Sequence, residues 1–128
     1  RDQKSAYLPI VYYGGDNLPL LTDNIYSDDA ETIYYDLSNS SGMLYLFAYD
    51  TAIDFDTPVV SGSATIDGPT TGGIRYKFTS GQTLTLSTQT TSLFRGYWII
   101  KTDTNSDFLA DNIFTYRISQ PLRFLDVT

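Results

Sequence analysis

Ile74-Arg75-Tyr76-Lys77-Phe78-Thr79 alternates apolar and polar residues at every step, the period of a strand with one wet face and one buried face. Directly before it stands Asp67-Gly68-Pro69-Thr70-Thr71-Gly72-Gly73, a dense turn signal. Before that, Val59 to Ile66 is an extended stretch that includes the small residues Ser61, Gly62, Ser63 and Ala64. Strand, turn and strand predict a β-hairpin. Upstream, Met43, Tyr45, Phe47 and Tyr49 alternate with Leu44, Leu46 and Ala48, so both faces are apolar and a central strand is expected. Ala6 to Tyr13 is a further candidate, and Pro9, which lacks a backbone donor, suits it to an edge. Gly14 to Asn17 ends it, a loop follows, and Thr32 to Leu37 resumes an extended pattern before the turn Ser38 to Gly42.

Downstream, Ser80 to Thr91 is Thr-rich and weakly patterned, and Ser92 to Thr102, centred on Gly96-Tyr97-Trp98-Ile99-Ile100, is the strongest late strand. Ile113 to Ser119 and Leu122 to Val127 complete the series. No window holds apolar residues at helical spacing without interruption, so no helix is expected. Fourteen of the fifteen acidic residues are Asp, and only Glu31 is Glu, a skew toward turn formers. Seven to nine short strands with no helix between them predict one all-β domain over residues 1–128, an antiparallel immunoglobulin-like β-sandwich with a jelly roll as the alternative. Extended terminal arms are expected at residues 1–7 and 122–128.

With 41% hydrophobic and 15% aromatic residues in 128, the chain is composed to fold around one core. It contains no cysteine and no histidine, which removes Cys and Ser-His nucleophiles, imidazole or thiolate zinc sites, and disulfides. A net charge of −7 with eight scattered basic residues argues against a nucleic-acid groove, and no stretch approaches the ~20 apolar residues of a membrane span. No cofactor, nucleic acid or membrane partner is therefore expected.

Ala64-Thr65-Ile66-Asp67, the turn into Gly73-Ile74-Arg75-Tyr76-Lys77-Phe78, the Thr-rich spacer and Gly96-Tyr97-Trp98-Ile99-Ile100 occur in an order that resembles the immunoglobulin-like N-terminal domain of phage baseplate upper proteins. The resemblance runs from Val59 to about Ile118 and is made of turn glycines and alternating apolar residues. It implies a non-enzymatic structural protein of a bacteriophage virion that docks onto other virion proteins. No helical linker or receptor-binding module follows the expected sandwich, which widens the expectation from baseplate to tail component or capsid decoration.

Each carboxylate group has a plain competing explanation. Asp103-Thr104-Asn105-Ser106-Asp107 places oxygen ligands like an EF-hand, but Phe108 stands at the glycine position and Phe114 at the glutamate position, which excludes that loop. Asp54-Phe55-Asp56 and Asp28-Asp29 with Glu31 read as solvated loop charge. Nothing in the spacing selects the carboxylate pair of a glycosidase. The tyrosines carry more information. Adjacent strand residues point to opposite faces, so at most one ring in each of Tyr12-Tyr13 and Tyr34-Tyr35 can enter a core. Tyr7, Tyr12, Tyr13, Tyr34 and Tyr35 are the candidate interface residues, and Trp98 is expected in the core. The expected function is protein docking in a virion, as a homo-oligomer or multicopy assembly. The alternative is a carbohydrate-binding module whose tyrosines and loop carboxylates hold a host glycan.

Overall fold

The computed structural model describes residues 8–16, 19–89, 93–103 and 112–126. The described residues form eight strands: β1 (Ile10–Tyr13), β2 (Leu20–Asn24), β3 (Ser40–Ala48), β4 (Val60–Ile66), β5 (Gly73–Lys77), β6 (Leu93–Thr102), β7 (Asn112–Arg117) and β8 (Leu122–Leu125). One helix, α1 (Ser80–Ser87), stands between β5 and β6. The fold is all-β. Its hydrogen-bonded path runs β1-β8-β6-β3-β4-β5-β2, with β7 also paired to β6.

The central hairpin forms, but it is short. Only Thr65↔Arg75 and Ile66↔Ile74 pair β4 with β5, after which β5 pairs along its length with β2. Strand β4 thus leaves β3 at one end and joins β5 at the other, and the sheet curls there. The curl brings distant strands together. Trp98 on β6 donates its indole N–H to Asp23 Oδ2 on β2 at 3.0 Å, although β3, β4 and β5 lie between those strands along the sheet. Leu21, Ile25, Leu44, Leu46, Ile74, Phe78, Phe94, Trp98, Ile100 and Phe124 fill the enclosed space. β6 is continuous across ten residues, and its second neighbour changes along the way, from β8 at Leu93 and Phe94 to β7 from Tyr97 onward.

Several sequence expectations are corrected. Leu20–Asn24, expected as loop, is β2, with Leu21 alone as its fully buried residue. Asp and Asn are poor strand formers, and pairing with β5 overrides that preference. Thr32 to Leu37 forms no ladder and contributes only the bridge Tyr26↔Tyr34. The sheet is mixed rather than purely antiparallel, because β1 and β8 pair in parallel from Ile10↔Leu122 to Tyr13↔Leu125. Residues Leu122–Leu125 therefore belong to a core strand, with Leu122 and Phe124 fully buried, and not to a reaching arm. The arm expected at residues 1–7 lies outside the described residues.

α1 overturns the expectation of no helix. Its N-terminus is a capping box, in which Thr79 Oγ1 accepts from the Gln82 N–H at 3.1 Å and Gln82 Oε1 accepts from the Thr79 N–H at 3.1 Å. The same Gln82 amide meets the buried Tyr76 hydroxyl, tying the cap to β5. The inward face is Thr83, Leu86 and Ser87, two of them polar, which hides the helical period from a count of apolar residues. Thr79→Ala is expected to cost about 1 kcal/mol, read as a shift in the urea midpoint. An unchanged midpoint would show that the cap contributes nothing.

Candidate docking surfaces

Strand alternation separates the tyrosine pairs. Tyr12 is 5% exposed, stacked on Phe124 at 4.9 Å and tilted against Phe78 at 5.3 Å. Its hydroxyl donates to Leu20 O at 3.1 Å, and burial pushes the phenol well above its ordinary pKa. Tyr12 is thus a core residue and leaves the candidate interface. Tyr13, 47% exposed, points outward beside the exposed Val11. Tyr7 lies outside the described residues.

Tyr34 and Tyr35 belong to a folded loop. Tyr34 is 49% exposed and stacks on Tyr26 with ring centroids 5.2 Å apart. Tyr35 is half-buried against Phe114, at 4.9 Å. The loop is held by Asp28, whose Oδ1 accepts from the Thr32 and Ile33 N–H groups at 3.0 and 2.9 Å and whose Oδ2 accepts from the Thr32 hydroxyl. The Thr32 hydroxyl first, then the backbone donor of Ile33, hold the Asp28 carboxyl below the usual carboxylate range. Its contribution to loop order is complete above the ordinary carboxylate pKa and is lost as pH falls through the lowered value. With three donors on it, the Asp28 carboxylate holds the loop in shape. Asp54 Oδ1 accepts from the Asp56 N–H at 3.0 Å. Among the described residues no three acidic side chains converge as metal ligands would. Of the Asp103 to Asp107 loop, only Asp103 is described.

Beside the Tyr34 loop opens a shallow pocket of about 230 Å³, lined by Tyr26, Asp28, Asp29, Tyr35, Phe114 and Tyr116 together with Ser27. Tyr116 Oη accepts from the Tyr26 N–H at 3.2 Å, which fixes the loop against β7.

A second surface was not anticipated from sequence. On β3, Leu44 and Leu46 face the core, whereas Met43, Tyr45 and Phe47 face outward. Phe47 is nevertheless buried, because the loop after β3 folds back and lays Phe55 against Tyr45, Phe47 and Tyr97 at 5.6, 5.2 and 5.8 Å. Arg95 Nη2 donates to the Thr51 carbonyl and fixes that loop. The sequence shows Phe55 as an isolated aromatic between two acids, with no period linking it to β3.

The outer face also segregates charge. By register and alternation, every described Lys and Arg, namely Arg75, Lys77, Arg95, Lys101, Arg117 and Arg123, lies on outward strand positions. Of the described acids only Asp23 is on a strand, and it points inward to Trp98. The others occupy the loops, so the described charges are divided between basic residues on outward strand positions and acidic residues in the loops. No protein-family model and no curated protein matches this chain.

Proposed function

We propose that the chain is a non-enzymatic docking module of a bacteriophage particle, in the tail, baseplate or capsid decoration, whose partners are other virion proteins. The observation that carries the docking part is outward aromatic and aliphatic surface on positioned elements: Val11 and Tyr13 on β1, and Ile33 and Tyr34 on the loop pinned by Asp28. Single exposed apolar residues are ordinary, whereas adjacent ones held rigidly are economical anchors for a protein partner. The virion setting rests on the resemblance of Val59 to Ile118 to phage baseplate domains. An immunoglobulin-like sandwich remains the proposed arrangement, and the Trp98–Asp23 bond, which spans the interior from β6 to β2, supports two facing layers.

In gradient-purified particles the chain is expected to co-sediment with intact virions. A Tyr13→Ser, Tyr34→Ser double variant should melt like the parent and be incorporated about tenfold less, a change equivalent to losing ~1.4 kcal/mol of contact. If the parent chain remains with soluble proteins at the top of the gradient, the docking reading fails.

The pocket beside Tyr34 favours a second reading, glycan binding, because aromatic faces and carboxylates surround one concavity. Titration with host polysaccharide would then give heat with the parent and none with Tyr35→Ala.

A further inference from the structure

We propose that the pocket between the Asp28 loop and β7 seats an arginine side chain of the protein onto which the chain docks, with aromatic rings and carboxylate charge as the recognition chemistry. The inference rests on the docking reading, and it names the chemistry by which the partner is recognised.

Two segments build this pocket. Tyr26, Asp28, Asp29 and Tyr35 come from the loop after β2, and Phe114 and Tyr116 from inward positions of β7. The rings are braced against one another. Tyr35 lies against Phe114 with centroids 4.9 Å apart, Tyr26 stacks on Tyr34 at 5.2 Å, and the Tyr26 N–H donates to Tyr116 Oη at 3.2 Å. An aromatic wall held in this way loses little freedom when a ligand arrives. The local charge is of one sign. From Ile25 to Leu37 the chain carries Asp28, Asp29, Glu31 and Asp36 and no Lys or Arg. The one basic residue of β7 is Arg117, which alternation turns to the opposite face of the sheet from Tyr116. Arg75, on the strand paired with β2, forms an ion pair with Asp67 at 3.2 Å.

The hydrogen bonds inside the pocket favour a cation over a sugar. A carboxylate has about four lone-pair positions. Those of Asp28 are taken: Oδ1 accepts from the Thr32 and Ile33 N–H groups at 3.0 and 2.9 Å, and Oδ2 accepts from the Thr32 hydroxyl and, at 3.3 Å, from the Thr32 N–H. Ser27 Oγ donates to Ile33 O at 3.3 Å, and Tyr116 Oη already accepts from the Tyr26 N–H. Sugar hydroxyls need directional partners of this kind. A cation does not, because it is drawn by the field of a carboxylate whose lone pairs are engaged and by the π-system of a ring. The same shortage of acceptors selects between the two cationic side chains. Guanidinium is weakly hydrated and stacks on aromatic rings, whereas the lysine ammonium is strongly hydrated and gives up more on entering. The loop also presents Ile33 and Tyr34 outward, 60% and 49% exposed, so apolar contacts surround the entering side chain. Tyr and Arg carry much of the energy of an interface in such a setting.

Nuclear magnetic resonance titration of the full chain with N-acetyl-arginine amide at low salt tests the site. Saturable shifts at Tyr26, Tyr35, Phe114 and Tyr116 are expected, with a dissociation constant of about 1–10 mM. The neutral citrulline derivative, of nearly the same shape, should bind about fivefold more weakly. Asp29→Asn should weaken arginine binding about threefold and Asp29→Lys should abolish it, both at the parent's melting temperature because the side chain is exposed. Phe114→Leu keeps an apolar side chain but removes a ring, and should weaken binding about threefold. In particles, Asp29→Lys should be incorporated about tenfold less than the parent. Spectra unchanged up to ~50 mM arginine amide, or an equal response to the citrulline derivative, overturn the inference. A stronger response to methyl glucoside also overturns it and gives the pocket to a glycan. Normal incorporation of Asp29→Lys, beside a parent that co-sediments with virions, refutes this inference alone. A parent that binds the arginine amide but is absent from particles refutes the docking reading, and with it the partner, and leaves the pocket's preference for arginine standing.

Discussion

Trp98→Ala is expected to cost about 3–5 kcal/mol, a large fraction of the ~10 kcal/mol that holds together a domain of this size. The side chain is fully buried, lies between Leu44 of β3 and Tyr116 of β7 in register, and fills the space enclosed by the curl. Truncation removes its apolar contacts and leaves a cavity in a core closed on several sides by strands, where collapse is restricted. It also removes the donor for Asp23, a half-buried carboxylate that then loses its bond from β6. The partner substitutions separate these effects. Asp23→Leu leaves the indole N–H buried without an acceptor and should cost roughly 1–3 kcal/mol, whereas Asp23→Asn retains an oxygen acceptor and should cost less. Urea unfolding followed by circular dichroism measures all three. If Trp98→Ala melts with the parent, the ring is not in the core and the interior as described is wrong.

How far the sequence discloses this molecule depends on whether a residue's neighbour is close along the chain. Strands β3 and β5 are legible because residues alternate along them, β4 because a dense turn signal follows its extended stretch, and β6 because it is the most apolar late stretch, all properties a strand carries by itself or with its next turn. Trp98 belongs to the expected core because it lies in that most apolar stretch. Strand β2 was not visible, because Asp23 and Asn24 are extended only through pairing with β5, about fifty residues later in the chain. The parallel union of β1 with β8 has no local signal at all. The helix was a different kind of miss. Thr79-Ser80-Gly81-Gln82 is a capping box, a local signature, but the β-branched threonines after it argue for strand in propensity terms.

The candidate surfaces divide in the same way. Alternation predicted that one member of Tyr12-Tyr13 must face away from the core, though not which one. The stacking of Tyr12 on Phe124 depends on the parallel β1-β8 pair, which no short-range pattern announces. Tyr34 and Tyr35 were recognised as residues without recognition of their loop, which owes its shape to Asp28 and its position to Tyr116, a residue from the far end of the chain. Alternation in β5 also implies the outward placement of Arg75 and Lys77, which flank the buried Tyr76. What sequence could not supply is the return of Phe55 over β3.

The same substitution, glycine to alanine, should act with opposite sign at two positions. At Gly73 a Cβ would lie 1.8 Å from the Asp67 carbonyl oxygen and 3.0 Å from its carbon, so backbone rather than a flexible side chain would have to move. Gly73 and Asp67 close the hairpin, with the Asp67 N–H donating to Gly73 O at 2.9 Å and the Gly73 N–H donating to Gly68 O at 3.1 Å. Opening that pair displaces β5, and with it Ile74, Tyr76 and Phe78 from the core and β2 from the ladder it forms with β5. Gly73→Ala is therefore expected to cost about 3 kcal/mol or more, at the severe end of overpacking. Gly81 lies in the first turn of α1, and the nearest atom to a Cβ there is Thr79 Oγ1 at 3.9 Å, ordinary contact. Alanine at that site reduces the freedom of the unfolded chain and favours helix, so Gly81→Ala should add about 0.5–1 kcal/mol. Thermal melts of the two variants beside the parent give the comparison. A Gly73→Ala protein as stable as the parent would mean that the turn after β4 is not built as described, and a destabilised Gly81→Ala would mean the same for the start of α1.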